Sequence, residues 1–141
     1  MTKTKRKPKR KVPALRPTDL VAAHAAVLEG LPVAAFDRLV VESGFPAADL
    51  AAAADIPPTT LVRRRREGRF SKDESERLIR LGFVIRDTLD LFDQDAESAR
   101  GWLQRPRPVL GDVKPLELAK TEFGARMVRD LIGRLQHGVF S

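Results

Sequence analysis

Cysteine is absent from this sequence, which removes disulfides, thiolate catalysis and cysteine-based zinc sites together. Tyrosine is absent too, and tryptophan occurs once. The two histidines, His24 and His137, do not stand at a metal-ligand spacing. No glycines are grouped into a phosphate-cradling loop. No apolar run is long enough to span a bilayer, and the basic N-terminus lacks the apolar stretch of a secretory signal. The carboxylates read as solvent-facing helical charges beside basic residues. The expectation is a cytoplasmic protein that is not an enzyme, with no cofactor, no metal and no membrane partner.

What is present is basic charge, unevenly placed. Lys3, Lys5, Lys7, Lys9, Lys11, Arg6, Arg10 and Arg16 crowd the first 16 residues, where no acid occurs. They outnumber the net charge of the whole chain, +7, so the remainder is close to neutral. Its positive charge is concentrated at Arg63, Arg64, Arg65, Arg66 and Arg69. A basic arm plus a basic helix is an electrostatic footprint for a polyanion. The arm alone fits two descriptions equally well, a solubilising tail or a DNA-contacting extension.

The 141 residues suit one compact domain or two small helical units sharing a core. Thr18 reads as the N-cap of a helix over 19–29, stopped at Gly30. Pro32 opens a helix over 33–43, with Val33, Phe36 and Val40 on one face and Gly44 at its end. A short alanine-rich helix runs from Pro46 to about Ala54. After the turn Asp55–Ile56–Pro57, a second short helix covers 58–67 and stops at Gly68. Ser71 and Glu74 form an S-x-x-E capping box that opens the longest helix, 72–92. Its Leu78, Leu81, Ile85, Leu89 and Phe92 make a buried stripe. Ile79, Phe83, Val84 and Leu91 exceed that stripe, which predicts cover by the N-terminal helices and by a second copy of the chain. A helix over 95–104 follows, then an irregular loop through Pro106, Pro108 and Gly111. A brief helix starts at Pro115, and a final one runs from about Gly124 to Gln136. No strand pattern is present, so the fold class is all-α.

Two short helices around a tight turn, the second loaded with arginine, read as a helix-turn-helix. Thr59, Thr60 and Arg63 lie on its early turns, where a recognition helix meets base edges. Arg64, Arg65, Arg66 and Arg69 cover several azimuths, so some are expected on phosphates and some in salt bridges to the next helix. At the other end, the chain closes on "RLQHGVFS". Val139 and Phe140 either fold back on their own core or enter a partner's pocket.

The segments "SERLIRLGFVIRDTLDLF" and "ARGWLQRPRPVLGDVKPLELAKTEFGARMVRDLIGRLQHGVFS" resemble the Xre/MbcA/ParS-type antitoxins, the partners of RES-domain toxins. The resemblance covers about residues 45–141. It implies an all-α fold, dimeric or higher homo-oligomeric assembly and transcriptional autoregulation. It further implies neutralisation of a toxin that consumes NAD or uses it for ADP-ribosylation. By position, Trp102, Leu103, Leu110, Gly111, Pro115, Leu116 and Leu118 would serve the fold of the toxin-binding unit. Arg134, His137, Gly138, Val139, Phe140 and Ser141 match the terminal segment that approaches the toxin's active site. The chain departs from the family pattern at Asp112, where a second glycine is common, and at Gln136, where an acid is.

The resulting organisation is a basic arm over 1–16, a helix-turn-helix domain over 17–80 and a helical toxin-binding domain over 81–141, joined by the long helix. The function expected is that of an antitoxin that blocks a RES-type toxin and represses its own operon. The alternative is a stand-alone helix-turn-helix regulator of operator DNA. A RES-domain gene next to the coding sequence would discriminate between them.

Overall fold

The computed structural model describes residues 19–138. The basic arm over 1–16, Thr18, and the terminal Val139, Phe140 and Ser141 lie outside the described residues. Eight α-helices and no strands are found within them: α1 Leu20–Glu29, α2 Val33–Ser43, α3 Ala47–Ala53, α4 Pro58–Glu67, α5 Lys72–Leu91, α6 Ala96–Leu103, α7 Pro115–Leu118 and α8 Glu122–Gln136.

The helix ends follow local chemistry. Asp19, rather than Thr18, caps α1: its carboxylate accepts from the Ala22 N–H at 3.0 Å. Asp95 stands outside α6 in the same role, accepting from the Ser98 N–H. The final helix starts two residues earlier than its apolar spacing predicts, because the Thr121 hydroxyl accepts from the Gly124 N–H at 3.0 Å. The capping box is present as both reciprocal bonds, Ser71 to the Glu74 N–H and Glu74 to the Ser71 N–H. The proline-rich loop is more regular than expected. Pro108–Leu110 forms a single 3-10 turn, and the Arg107 N–H reaches the Val113 carbonyl at 3.3 Å. Proline's fixed φ suits the first position of such a turn, which is why its prolines do not exclude structure here.

α5 is the axis of the molecule, packed by α8, α1, α6 and α2. Leu78, Leu81, Ile85 and Leu89 are buried along it. Ile79, Phe83 and Val84 are buried as well. Arg129 of α8 lies over the Phe83 ring at 5.4 Å and bonds Asp87 at 2.9 Å. The apolar excess of α5 is therefore covered largely within one chain. Ile79, Phe83 and Val84 give no argument for a second copy, because the N-terminal helices, as expected, and α8, returning from far along the sequence, pack on α5; Leu91 is half-buried.

The α4–α5 junction is fastened to the α1–α2 junction by backbone pairing. Phe70 N–H donates to the Leu31 carbonyl at 2.9 Å, and Val33 N–H donates to that of Gly68 at 3.0 Å. The buried Ser75 hydroxyl accepts from the Leu31 N–H at 2.7 Å and donates to the Ser71 carbonyl. Gly30 permits this approach: its φ is +84°, and a Cβ there would stand 2.5 Å from the Phe70 carbonyl oxygen.

Candidate functional site

α3 and α4 form the helix-turn-helix. The turn between them places Asp55 at φ +54°, a left-handed conformation that aspartate tolerates. Ile56 is buried under the turn, and its N–H donates to the Ala51 carbonyl at 2.8 Å. Pro58 stands at the first turn of α4, where its missing N–H costs nothing.

The arginines of α4 separate into two groups. Arg64 turns inward, with only 18% of its side chain exposed. Its Nε donates to Glu74 Oε1 at 2.7 Å, its Nη2 to Glu74 Oε2 at 3.2 Å, and its Nη1 to Glu67 at 2.8 Å. Those bonds raise its pKa well above the ordinary arginine value, Glu74 contributing most and Glu67 next. Arg65 lies over the Phe36 ring at 5.8 Å and bonds Asp37 at 2.8 Å. Arg69 donates to the Gly30 carbonyl at 2.9 Å. Thr60 is half-buried. Arg63, by contrast, is exposed, with Glu67 no nearer than 3.9 Å. Arg66 is exposed and Thr59 is exposed. Thr59, Val62, Arg63 and Arg66 follow the i, i+3, i+4, i+7 spacing of one helix face, and all four are open to solvent. The structure thus brings Thr59, Arg63 and Arg66 together and turns Arg64 inward, while Arg65 and Arg69 make contacts within the chain and stay exposed. Val62 was not singled out by residue type; its signal is its spacing.

Glu74 corrects the reading of the carboxylates as solvent-facing, for it is buried between α4 and the start of α5. Burial pushes its pKa up. The bonds from Arg64 and from the Ser71 N–H outweigh that and hold it below the ordinary glutamate value. A carboxylate whose folded pKa is depressed stabilises the fold above its unfolded value, about 4.3, and that contribution is lost as pH falls through the folded pKa. Glu74→Gln is therefore expected to destabilise the protein by about 1–3 kcal/mol at pH 7. In urea unfolding at successive pH values the gap to wild type should close below about pH 4. A gap that stays constant down to pH 3 would show that packing, not charge, sets the effect.

In the C-terminal half, Trp102, Leu103, Leu110 and Pro115 are buried, and Leu116 and Leu118 pack at the core margin. Gly111 stands exposed in a left-handed conformation after the 3-10 turn. The Arg107 guanidinium covers the Trp102 ring at 5.0 Å, and burial, then Arg105, lowers its pKa. Arg134 and His137 are exposed near the end of α8. With Arg129, Asp130 and Gly133 they line a surface depression of about 410 Å³. His137 caps α8 through its N–H to the Gly133 carbonyl, and Gly138 follows at φ +65°, its N–H 3.4 Å from the Leu135 carbonyl and its missing Cβ facing open space. Among the described residues no helix is long and apolar enough to cross a membrane, and no three His, Asp or Glu groups are placed to hold a metal.

Comparison with known proteins agrees with this geometry. Residues 22–81 match the family described as Antitoxin Xre-like helix-turn-helix domain. Residues 88–138 match the Antitoxin Xre/MbcA/ParS C-terminal toxin-binding domain. The chain is 41% identical over 131 residues to Antitoxin Xre of Yersinia enterocolitica, covering 92% of this chain and 86% of that one. It is 39% identical over 119 residues to Antitoxin Xre of Photorhabdus laumondii, covering 84% and 80%. It is 28% identical over 80 residues to the Prs ADP-ribosylating antitoxin of a Sphingobium species, covering 51% and 50%. A helix-turn-helix domain fused through a shared long helix to an all-helical toxin-binding unit defines an antitoxin of a toxin–antitoxin system. Within that class, the chain belongs to the Xre/MbcA/ParS antitoxin family.

Proposed function

We propose that this antitoxin silences a RES-type, NAD-consuming toxin by placing residues 138–141 in its active site. In the same reading it represses its own operon through the exposed face of α4, as a homodimer on paired half-sites. The observation that carries the first part is the end of α8. The helix stops at Gln136, and Gly138 turns the backbone into the left-handed region at φ +65°, with open space where a Cβ would stand. The sequence then continues with Val139 and Phe140, apolar surface suited to a cleft that takes a flat cofactor. Arg134 and His137, exposed on the approach, supply polar contacts at the rim. The name of the Sphingobium relative includes ADP-ribosylation, a reaction that draws its ADP-ribosyl group from NAD, which supports NAD as the toxin's substrate here.

Burying one phenylalanine contributes on the order of 2 kcal/mol, too little to hold a complex by itself. The rest of the affinity then comes from the C-terminal domain surface. Deleting residues 139–141 is accordingly expected to restore NAD consumption by the co-purified toxin while a complex is still recovered. Full silencing by the truncated protein would overturn insertion of the tail and favour occlusion by the body of the domain.

A further inference from the structure

We propose that Val62 reads thymine through its C5-methyl group, making it a specificity-determining residue of α4. The inference rests on the reading of α4 as the DNA-contacting helix and names what its exposed face selects. Val62 is 53% exposed and belongs neither to the core nor to the residues packed against it. It sits three residues after Thr59 and four before Arg66, with Arg63 beside it, so its neighbours on this face are a hydroxyl and two cations. The opposite side of α4 is fastened: Leu61 packs on the core, and Arg64 is bonded to Glu74. The helix therefore presents Val62 outward in a fixed orientation.

The flanking arginines commit the face to a polyanion, and a DNA major groove offers one apolar group at its base edges, the thymine methyl. Valine in a helix keeps essentially one χ1 rotamer, so its two methyls are placed at little entropic cost. A polar side chain at this position would hydrogen-bond a base edge instead. Valine accepts no such bond, and what it distinguishes is the presence of the methyl. Arg63, Arg66 and Thr59 are left to phosphates and to donor–acceptor readout.

The experiment uses the full-length protein and a duplex that it selects from a randomised pool, with an identical duplex carrying deoxyuridine in place of thymidine. Phosphates and pairing are unchanged; only the methyls are lost. Wild type is expected to bind the uracil duplex about fourfold more weakly for each methyl contacted. Val62→Ala, which on an exposed helical face keeps the fold, is expected to bind the thymine duplex more weakly and to lose most of that discrimination. The pair Arg63→Ala and Arg66→Ala should weaken both duplexes and flatten the salt dependence while preserving the thymine-to-uracil ratio. Equal affinity of wild type for the two duplexes, or an unchanged ratio in Val62→Ala, overturns the proposal. Unchanged affinity and salt slope in the arginine pair overturns the underlying reading of α4 instead.

Discussion

Gly124→Ala is expected to destabilise the protein by about 2–4 kcal/mol, while Gly133→Ala on the same helix is expected to stabilise it. Both glycines lie in α8. Intrinsic helix propensity favours alanine at both by up to about 1 kcal/mol. Space decides between them. A Cβ at Gly124 would overlap the Leu118 carbonyl oxygen and stand 2.7 Å from the carbonyl carbon, and both are backbone atoms at the end of α7. Around Gly133 nothing lies within 4 Å of that position. The clash is relieved only by pushing α7 away or by unwinding the first turn of α8, which breaks the Thr121 cap. Overpacking of this kind costs about 1–3 kcal/mol, and a lost cap adds about 1. Thermal unfolding should show Gly124→Ala lower by roughly 10 °C and Gly133→Ala higher by a few degrees. A Gly124→Ala protein as stable as wild type would mean that α7 and α8 do not meet this closely.

Most of the helical framework was legible because its punctuation is strong. α2 and α4 end where Gly44 and Gly68 say they should, and each starts at a proline signal. The capping box at Ser71 announced α5. The starts of α1 and α8 differ from expectation in opposite directions: α1 begins one residue later, because Asp19 caps it, and α8 begins two residues earlier, because Thr121 caps it ahead of the first buried residue. The arginines were harder. By residue type Arg63, Arg64, Arg65 and Arg66 are equivalent. The fold separates them by where Glu74, Asp37 and Phe36 happen to stand, and Phe36 and Asp37 arrive from another helix. Val62 carries no signal in its residue type, only in its spacing with Thr59, Arg63 and Arg66, and its exposure shows that it belongs to that face rather than to the core. The apolar excess of α5 is of the same kind. Helical periodicity counts apolar residues but does not say which later segment covers them.

The second large effect is expected at a pair that periodicity also hides. Glu42, near the end of α2, forms a salt bridge with Arg86 from the middle of α5, and only 10% of the Arg86 side chain is exposed. Arg38 bonds the same carboxylate from one turn earlier at 2.7 Å. Arg100 of α6 donates to the Ser43 carbonyl at 2.8 Å, a cation at a helix C-terminus. The end of α2 is thus held by two arginines, one on the long helix and one in the region matching the toxin-binding family. Glu42→Ala removes the carboxylate and leaves the Arg86 guanidinium in its buried place. Taking one partner from a buried ion pair costs about 3–5 kcal/mol, whereas replacing both with apolar residues of similar volume is often nearly neutral. The Glu42 side chain is itself 26% exposed, so Glu42→Ala should lower stability by about 1–3 kcal/mol, and Glu42→Leu combined with Arg86→Met should recover most of the loss. Because Arg86 is buried, the effect should persist at high salt, unlike that of an exposed pair. Urea unfolding of the single and double variants, arranged as a double-mutant cycle, gives the coupling directly. Amide exchange then shows where it acts. Loss of protection in both α2 and α6 means that the pair fastens the DNA-reading half to the toxin-binding half. Additive costs with protection lost in α2 alone would reduce it to a local contact.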